Sequence, residues 1–96
     1  MELFSFARFH VGQGNESAAE EALLDVVTPS REEPGCLSLH AFCSTRDPQL
    51  FYIHSRWTGE EAFDNHAKLP HTVRFRERME SLVDQPLELT RTRLIA

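Results

Sequence analysis

With 96 residues and a mass of 11.0 kDa, the chain has room for a single hydrophobic core, since domains commonly run to about 100–150 residues. A 41% hydrophobic content with seven Phe excludes a disordered polymer, and one domain over residues 1–96 is expected. Ten Lys plus Arg against fifteen Asp plus Glu give a formal charge of -5, which repels phosphate backbones and argues against a nucleic-acid partner.

Residues 2–10 open the chain as a strand. Leu3, Ser5, Ala7 and Phe9 fall on one side and Phe4, Phe6, Arg8 and His10 on the other, the period of two that a pleated strand imposes. This opening is not a basic segment followed by a long apolar one, and no window approaches about 18 apolar residues. A soluble, cytoplasmic protein with no membrane partner is therefore expected. Gly12 and Gly14 break the strand, and Asn15, or Ser17 with Glu20 in capping-box spacing, predicts a helix start. Ala19, Ala22, Leu23, Val26 and Val27 follow at helical spacing and supply one apolar stripe. Thr28-Pro29 predicts a kink or an end to that helix, because proline lacks the donor and crowds the preceding turn.

Glu33-Pro34-Gly35 is a turn signal, and residues 36–43 resume alternation, Leu37, Leu39 and Ala41 against Ser38, His40 and Phe42. Cys36 and Cys43 lie seven positions apart, an odd spacing that predicts opposite faces and no bridge between them. Residues 45–48 suit a hairpin, after which residues 50–57 form a third strand with Phe51, Ile53, Ser55 and Trp57 opposite Tyr52, His54 and Arg56. Thr58-Gly59-Glu60-Glu61 reads as a second capping box. It opens a helix carrying Ala62, Phe63 and His66 that Pro70 interrupts. Val73, Phe75, Met79, Leu82 and Val83 extend a further helical stretch toward Pro86, in which Arg74, Arg76 and Arg78 form a solvated face. Residues 87–94 supply the last strand.

The order strand, helix, strand, strand, broken helix, strand predicts an α+β, ferredoxin-like βαββαβ fold: a four-stranded antiparallel sheet with its helices on one face. The opposite face also carries apolar side chains. Covering several hundred Å² of it is worth many kcal/mol at about 25 cal/mol per Å² before association costs, so a symmetric homodimer joined through the sheet faces is expected.

Glu33-Pro34-Gly35-Cys36-Leu37, then Asp47-Pro48, Phe51 and Trp57, then Ala62-Phe63, His66, Pro70-His71 and Phe75, in this order and spacing, resemble the antibiotic-biosynthesis monooxygenase domain of the dimeric α+β barrel superfamily. The resemblance spans essentially the whole chain. It implies a sheet-to-sheet dimer with a pocket in each subunit between the sheet and the broken second helix. It also implies oxygenase chemistry on quinols or polyketide aromatics without metal, flavin or haem, or haem degradation. Several positions depart from the family pattern. Ser55 stands where many members carry Glu, and Ala62, His66 and Thr72 stand where the polyketide oxygenases present Asn, Trp and Tyr. Arg76 and His66 occupy the places of the axial His and the Trp of the haem-degrading members, which argues against haem degradation.

A cofactor-free oxygenase needs a dry pocket, a base and a hold on the substrate anion, and histidine suits the base role near neutral pH. His66 and His71 bracket the helix break and are the candidate catalytic residues. Trp57, Phe63, Phe6, Phe42 and Tyr52 are the candidate substrate-binding residues, with a small aromatic or quinol as ligand. His54 and Arg56 are assigned to the interface rather than the pocket. No cofactor and no metal are expected. The chain lacks H-E-x-x-H and C-x-x-C, and five residues on a continuous helix would turn His66 and His71 about 140° apart. Nucleotide-loop and nucleophile motifs are absent, so phosphoryl and acyl transfer have no support. Two readings follow: a cofactor-independent monooxygenase oxidising a small hydroxylated aromatic or quinol with O2, and a non-catalytic dimeric module that binds or senses a small ligand.

Overall fold

The computed structural model describes all 96 residues. The elements follow the order β1 (Leu3–His10), α1 (Glu16–Arg31), β2 (Cys36–Cys43), β3 (Leu50–Trp57), α2 (Glu60–Lys68), α3 (Pro70–Glu80) and β4 (Glu88–Thr92). The four strands form one sheet in the spatial order β2-β3-β1-β4, every pairing antiparallel. β1 is central, opposing β3 from Leu3↔Trp57 to His10↔Leu50 and β4 from Phe4↔Thr92 to Arg8↔Glu88. This is the ferredoxin-like α+β arrangement expected from the element order.

Alternation decides which side chains meet the helices. Leu3, Ser5, Ala7 and Phe9 of β1 and Phe51, Ser55 and Trp57 of β3 are buried on one face. α1 covers it with Ala19, Ala22, Leu23 and Val26, and α3 with Phe75 and Met79. Phe9 meets Phe75 edge to face, with ring centroids 5.6 Å apart, a favoured aromatic geometry. A smaller cluster of Leu3, Leu39, Trp57 and Phe63 sits under α2. The partly buried Ile53 packs against both.

Several local expectations are corrected. α1 does not end at Thr28-Pro29 but continues to Arg31. The missing donor falls in the last turn, and the amides of Glu32 and Glu33 still reach the Pro29 and Ser30 carbonyls. Neither capping box forms, because α1 and α2 take Asn15 and Gly59 as N-caps without side-chain bonds. The Asn15 amide instead donates to the Leu82 carbonyl across the fold, and Glu60 and Glu61 meet the positive end of α2 directly. α3 stops at Glu80 rather than running toward Pro86, and Val83 forms an isolated bridge with Val11. β4 is confined to Glu88–Thr92.

The two cysteines share a face. A bulge between Cys36 and Ser38 restores the phase, so Cys36 opposes Trp57 and Cys43 opposes Phe51, both on the helix side. They occupy opposite ends of β2 and remain free thiols. No helix is long and apolar enough to cross a membrane.

Candidate active site

Gly35 sets the entry to the site. Its φ of +87° lies in the left-handed region open to glycine, and a Cβ there would stand 2.7 Å from the Ala62 Cβ and 2.9 Å from the Thr58 Oγ1. The turn therefore packs directly on the first turn of α2, which holds Glu33 against the far end of the same helix. There the chain breaks: Leu69 is extended (φ -73°, ψ 148°), and Pro70 begins α3, the helical position that proline tolerates best.

This break brings two histidines onto one carboxylate. The Glu33 Oε2 lies 2.8 Å from His66 Nδ1 and 2.6 Å from His71 Nε2, and the Thr72 hydroxyl is 3.3 Å from His66 Nδ1. The three charged or titratable side chains are 7% (Glu33), 12% (His66) and 17% (His71) exposed, so the pairs are largely shielded from water. The angular argument against convergence of His66 and His71 fails because they belong to separate helices, whose rings meet at 6.2 Å. Their ligand atoms and that of Glu33 all lie within 4.8 Å of one another, so the metal-capable geometry that spacing alone denied is present.

A carboxylate only accepts. In neutral rings both nitrogens facing Glu33 therefore carry the hydrogen, leaving lone pairs on His66 Nε2 and His71 Nδ1. Burial lowers the His66 pKa from the ordinary histidine value and His71 lowers it further, while the bond and charge of Glu33 oppose the shift. The net effect favours a neutral imidazole. Aromatic neighbours fix the ring: His66 lies 4.6 Å from the Trp57 centroid and 5.6 Å from that of Phe63. Trp57 is in turn anchored by its indole N–H donating to Ser55 Oγ at 2.9 Å.

On its other side His66 lines a cavity of about 140 Å³ between the sheet and the helices. Ala7, Phe9, Ile53 and Leu89 form an apolar floor, and Val26, Phe63 and Phe75 contribute from the helices. Three serine hydroxyls interrupt the apolar lining, from Ser5, Ser30 and Ser55, all nearly inaccessible to solvent. The Ser30 Oγ has no hydrogen-bond partner. Arg76 and Arg91 also line the cavity. Arg91 is engaged by Glu60 and Asp64 and lies over the Phe63 ring, whereas Arg76 forms no ion pair.

Of the residues singled out from sequence, His66 and Phe63 line this cavity, Trp57 backs His66, and His71 stands behind the carboxylate. Phe6, Phe42 and Tyr52 lie on the open face of the sheet, 49%, 52% and 39% exposed, and do not reach the cavity. Phe6 packs there on His54 at 4.7 Å, and Tyr52 opposes Phe42. Sequence reasoning assigned no role to Glu33, Ser30 or Arg76. Arg76 reads as one of three solvated arginines. Glu33 reads as a polar turn residue, and its pairing with residues 33 and 38 positions away carries no local signal.

Comparison with known proteins accords with this architecture. The family model described as antibiotic biosynthesis monooxygenase matches residues 3–78. The Mycobacterium tuberculosis protein Rv0793, named as a proposed monooxygenase, is 32% identical over 74 residues, covering 76% of this chain and 72% of that protein. Its solved structure matches with a TM-score of 0.94 at 25% identity, covering 100% of this chain and 97% of that one. PA3566 from Pseudomonas aeruginosa matches with a TM-score of 0.91 at 28% identity, covering 99% and 95%. The uncharacterized protein sll1783 of Synechocystis is 30% identical over 63 residues, 66% of this chain but 43% of its own length. On the extent of the family match and the Rv0793 alignment, the chain belongs to the antibiotic biosynthesis monooxygenase family.

Proposed function

We propose that the chain is a cofactor-independent monooxygenase that oxidises a small, single-ring hydroxylated aromatic or quinol with O2. The observation that carries this reading is the His66 imidazole, oriented by Glu33 and favoured in its neutral form by burial, at the wall of a largely apolar cavity. A cavity of about 140 Å³ is close to the roughly 150 Å³ space that accepts benzene, which favours one ring over the several fused rings of a polyketide.

In this reading His66 Nε2 removes a hydroxyl proton, and the electron-rich ring anion reduces O2 and combines with it at a ring carbon. The resulting peroxide takes the proton back from His66. It then loses water with the hydrogen of that carbon, leaving a new C=O. The substrate supplies all four electrons, one oxygen atom enters it and the other leaves as water. Ser30 offers an unpartnered hydroxyl to the bound ring, and Arg76 supplies the positive charge that favours the anion. His71 donates to the same Glu33 oxygen and acts through it. The open sheet face pairs with a second copy, and Phe6, Phe42 and Tyr52 serve that contact rather than the substrate.

Oxygen uptake with a panel of hydroquinones, catechols and anthrones tests the proposal. Wild-type protein accelerates uptake with single-ring substrates, and His66→Ala lowers the rate by about 100-fold or more, the usual worth of a positioned base. Uptake no faster than without protein contradicts it and favours a module that holds a small ligand unchanged.

A further inference from the structure

We infer that Glu33, His66 and His71 form a binding site for a divalent transition ion of the zinc class, and that its occupancy switches off the base function of His66. The first half stands on geometry alone, and the second rests on the function proposed above.

The three ligand atoms come from three elements: the turn after α1, the end of α2 and the start of α3. Glu33 Oε2, His66 Nδ1 and His71 Nε2 lie within 4.8 Å of one another, and the two oxygen–nitrogen separations are 2.8 and 2.6 Å. A tetrahedral ion with bonds of about 2.0–2.2 Å places its ligands about 3.3 Å apart, so Glu33 draws back by roughly half an ångström or slightly more and the two nitrogens, within 4.8 Å of each other, settle at that spacing to admit it. Two imidazoles and one carboxylate suit zinc, cobalt or nickel rather than calcium or magnesium, which prefer oxygen alone. His71 also lines an outer depression between α1 and α3 with Asp25, Arg74 and Arg78, so one ligand of the site is reached from outside the substrate cavity.

The consequence for His66 follows from tautomerism. Without metal, Nδ1–H is donated to Glu33 and the Nε2 lone pair is free. A metal on Nδ1 needs the lone pair of that nitrogen, so in the neutral ring the proton resides on Nε2. The edge that would accept a substrate proton then carries one already. One ion, one carboxylate and two neutral rings are involved, and no net proton is released.

Zinc titration by calorimetry and cobalt titration by visible absorption test the site without substrate. The expected result is one ion per chain, with Glu33→Gln and His71→Ala each weakening binding by about 100-fold or more. His40→Ala, at an exposed histidine on the open face, should leave it unchanged. Absence of saturable binding, or binding that survives both variants, overturns the site. Because those variants can also disturb folding, nitrogen-15 spectra of wild-type imidazoles give an independent reading: zinc moves the His66 proton from Nδ1 to Nε2, and a proton that stays on Nδ1 overturns the mechanism. One equivalent of zinc then abolishes quinol-dependent oxygen uptake and a chelator restores it. Uptake unchanged or raised by bound zinc overturns the switch, whereas a chain that oxidises no quinol overturns the function above while the binding and tautomer results still decide the site.

Discussion

A single carboxylate oxygen that accepts from two imidazoles constrains both rings at once, and that is the position of Glu33. Glu33→Gln removes the negative charge and puts a donating NH2 beside one oxygen, so the His66 tautomer is no longer fixed, with the loss expected to be about tenfold or more in turnover, as when the carboxylate behind a catalytic imidazole is replaced. Glu33 also raises the His66 pKa against the effect of burial, so the rising limb of the pH–rate profile should move to lower pH in the variant. In wild type that limb should lie below the ordinary histidine value of 6.5, because only the neutral ring accepts a proton. A limb above it, or one that Glu33→Gln leaves in place, contradicts the assignment. His10 behaves oppositely. Its Nδ1 is 2.6 Å from Asp84 and its Nε2 3.2 Å from Asp47, and the bond to Asp84 is the chief cause that raises its pKa. A raised folded-state pKa adds stability that is complete below the unfolded value and is lost as pH rises through the folded one. The stability difference between wild type and His10→Gln in urea unfolding should therefore be larger at pH 5.5 than at pH 8.5. A difference independent of pH would refute it. His66 and His71 were legible as a pair because they flank Pro70; Glu33 was not, since only the closed fold brings it to them.

At the scale of the elements, periodicity carried the strands and the helix break, and failed wherever one residue changed the phase. The bulge at the start of β2 reversed the expected side of Cys36 relative to Cys43, and no alternation pattern marks a bulge in advance. Phe6, Phe42 and Tyr52 were placed with the substrate on aromatic character alone, although the strand register assigns them to the face away from the helices. Proline gave two outcomes by position, starting α3 at Pro70 and sitting in the last turn of α1 at Pro29 without ending the helix there. The Gly35 turn is the element-level feature with the sharpest consequence. Gly35→Ala forces a side chain into Ala62 at a φ that L residues rarely adopt, a cost of about 1–3 kcal/mol. The melting midpoint should fall by about 4 °C or more for a domain of this size. A midpoint within a degree of wild type would show that the turn and α2 are not closely packed.

Across the whole molecule, the helices protect one face of the sheet and leave the other to solvent. That open face is less apolar than the strand pattern alone suggests: Phe4, Phe6, Phe42 and Tyr52 are interspersed with His40, His54 and Arg56, and the Arg56 guanidinium lies over the Phe4 ring. Such a mixture suits an association surface rather than a second core. Sedimentation should give twice the 11.0 kDa chain mass, and Phe42→Arg should shift it to the monomer. A wild-type particle at the mass of one chain refutes the pairing. Central to the proposed function is the insertion of one atom of O2 into a single-ring substrate at the cavity beside His66. The direct measurement is mass spectrometry of the product from a hydroquinone oxidised under 18O2 and sampled before its carbonyls exchange with water. One labelled oxygen per product, formed by wild type and reduced to the protein-free level in His66→Ala, is the expected result. Unlabelled product, or labelling that proceeds equally without the protein, would contradict it.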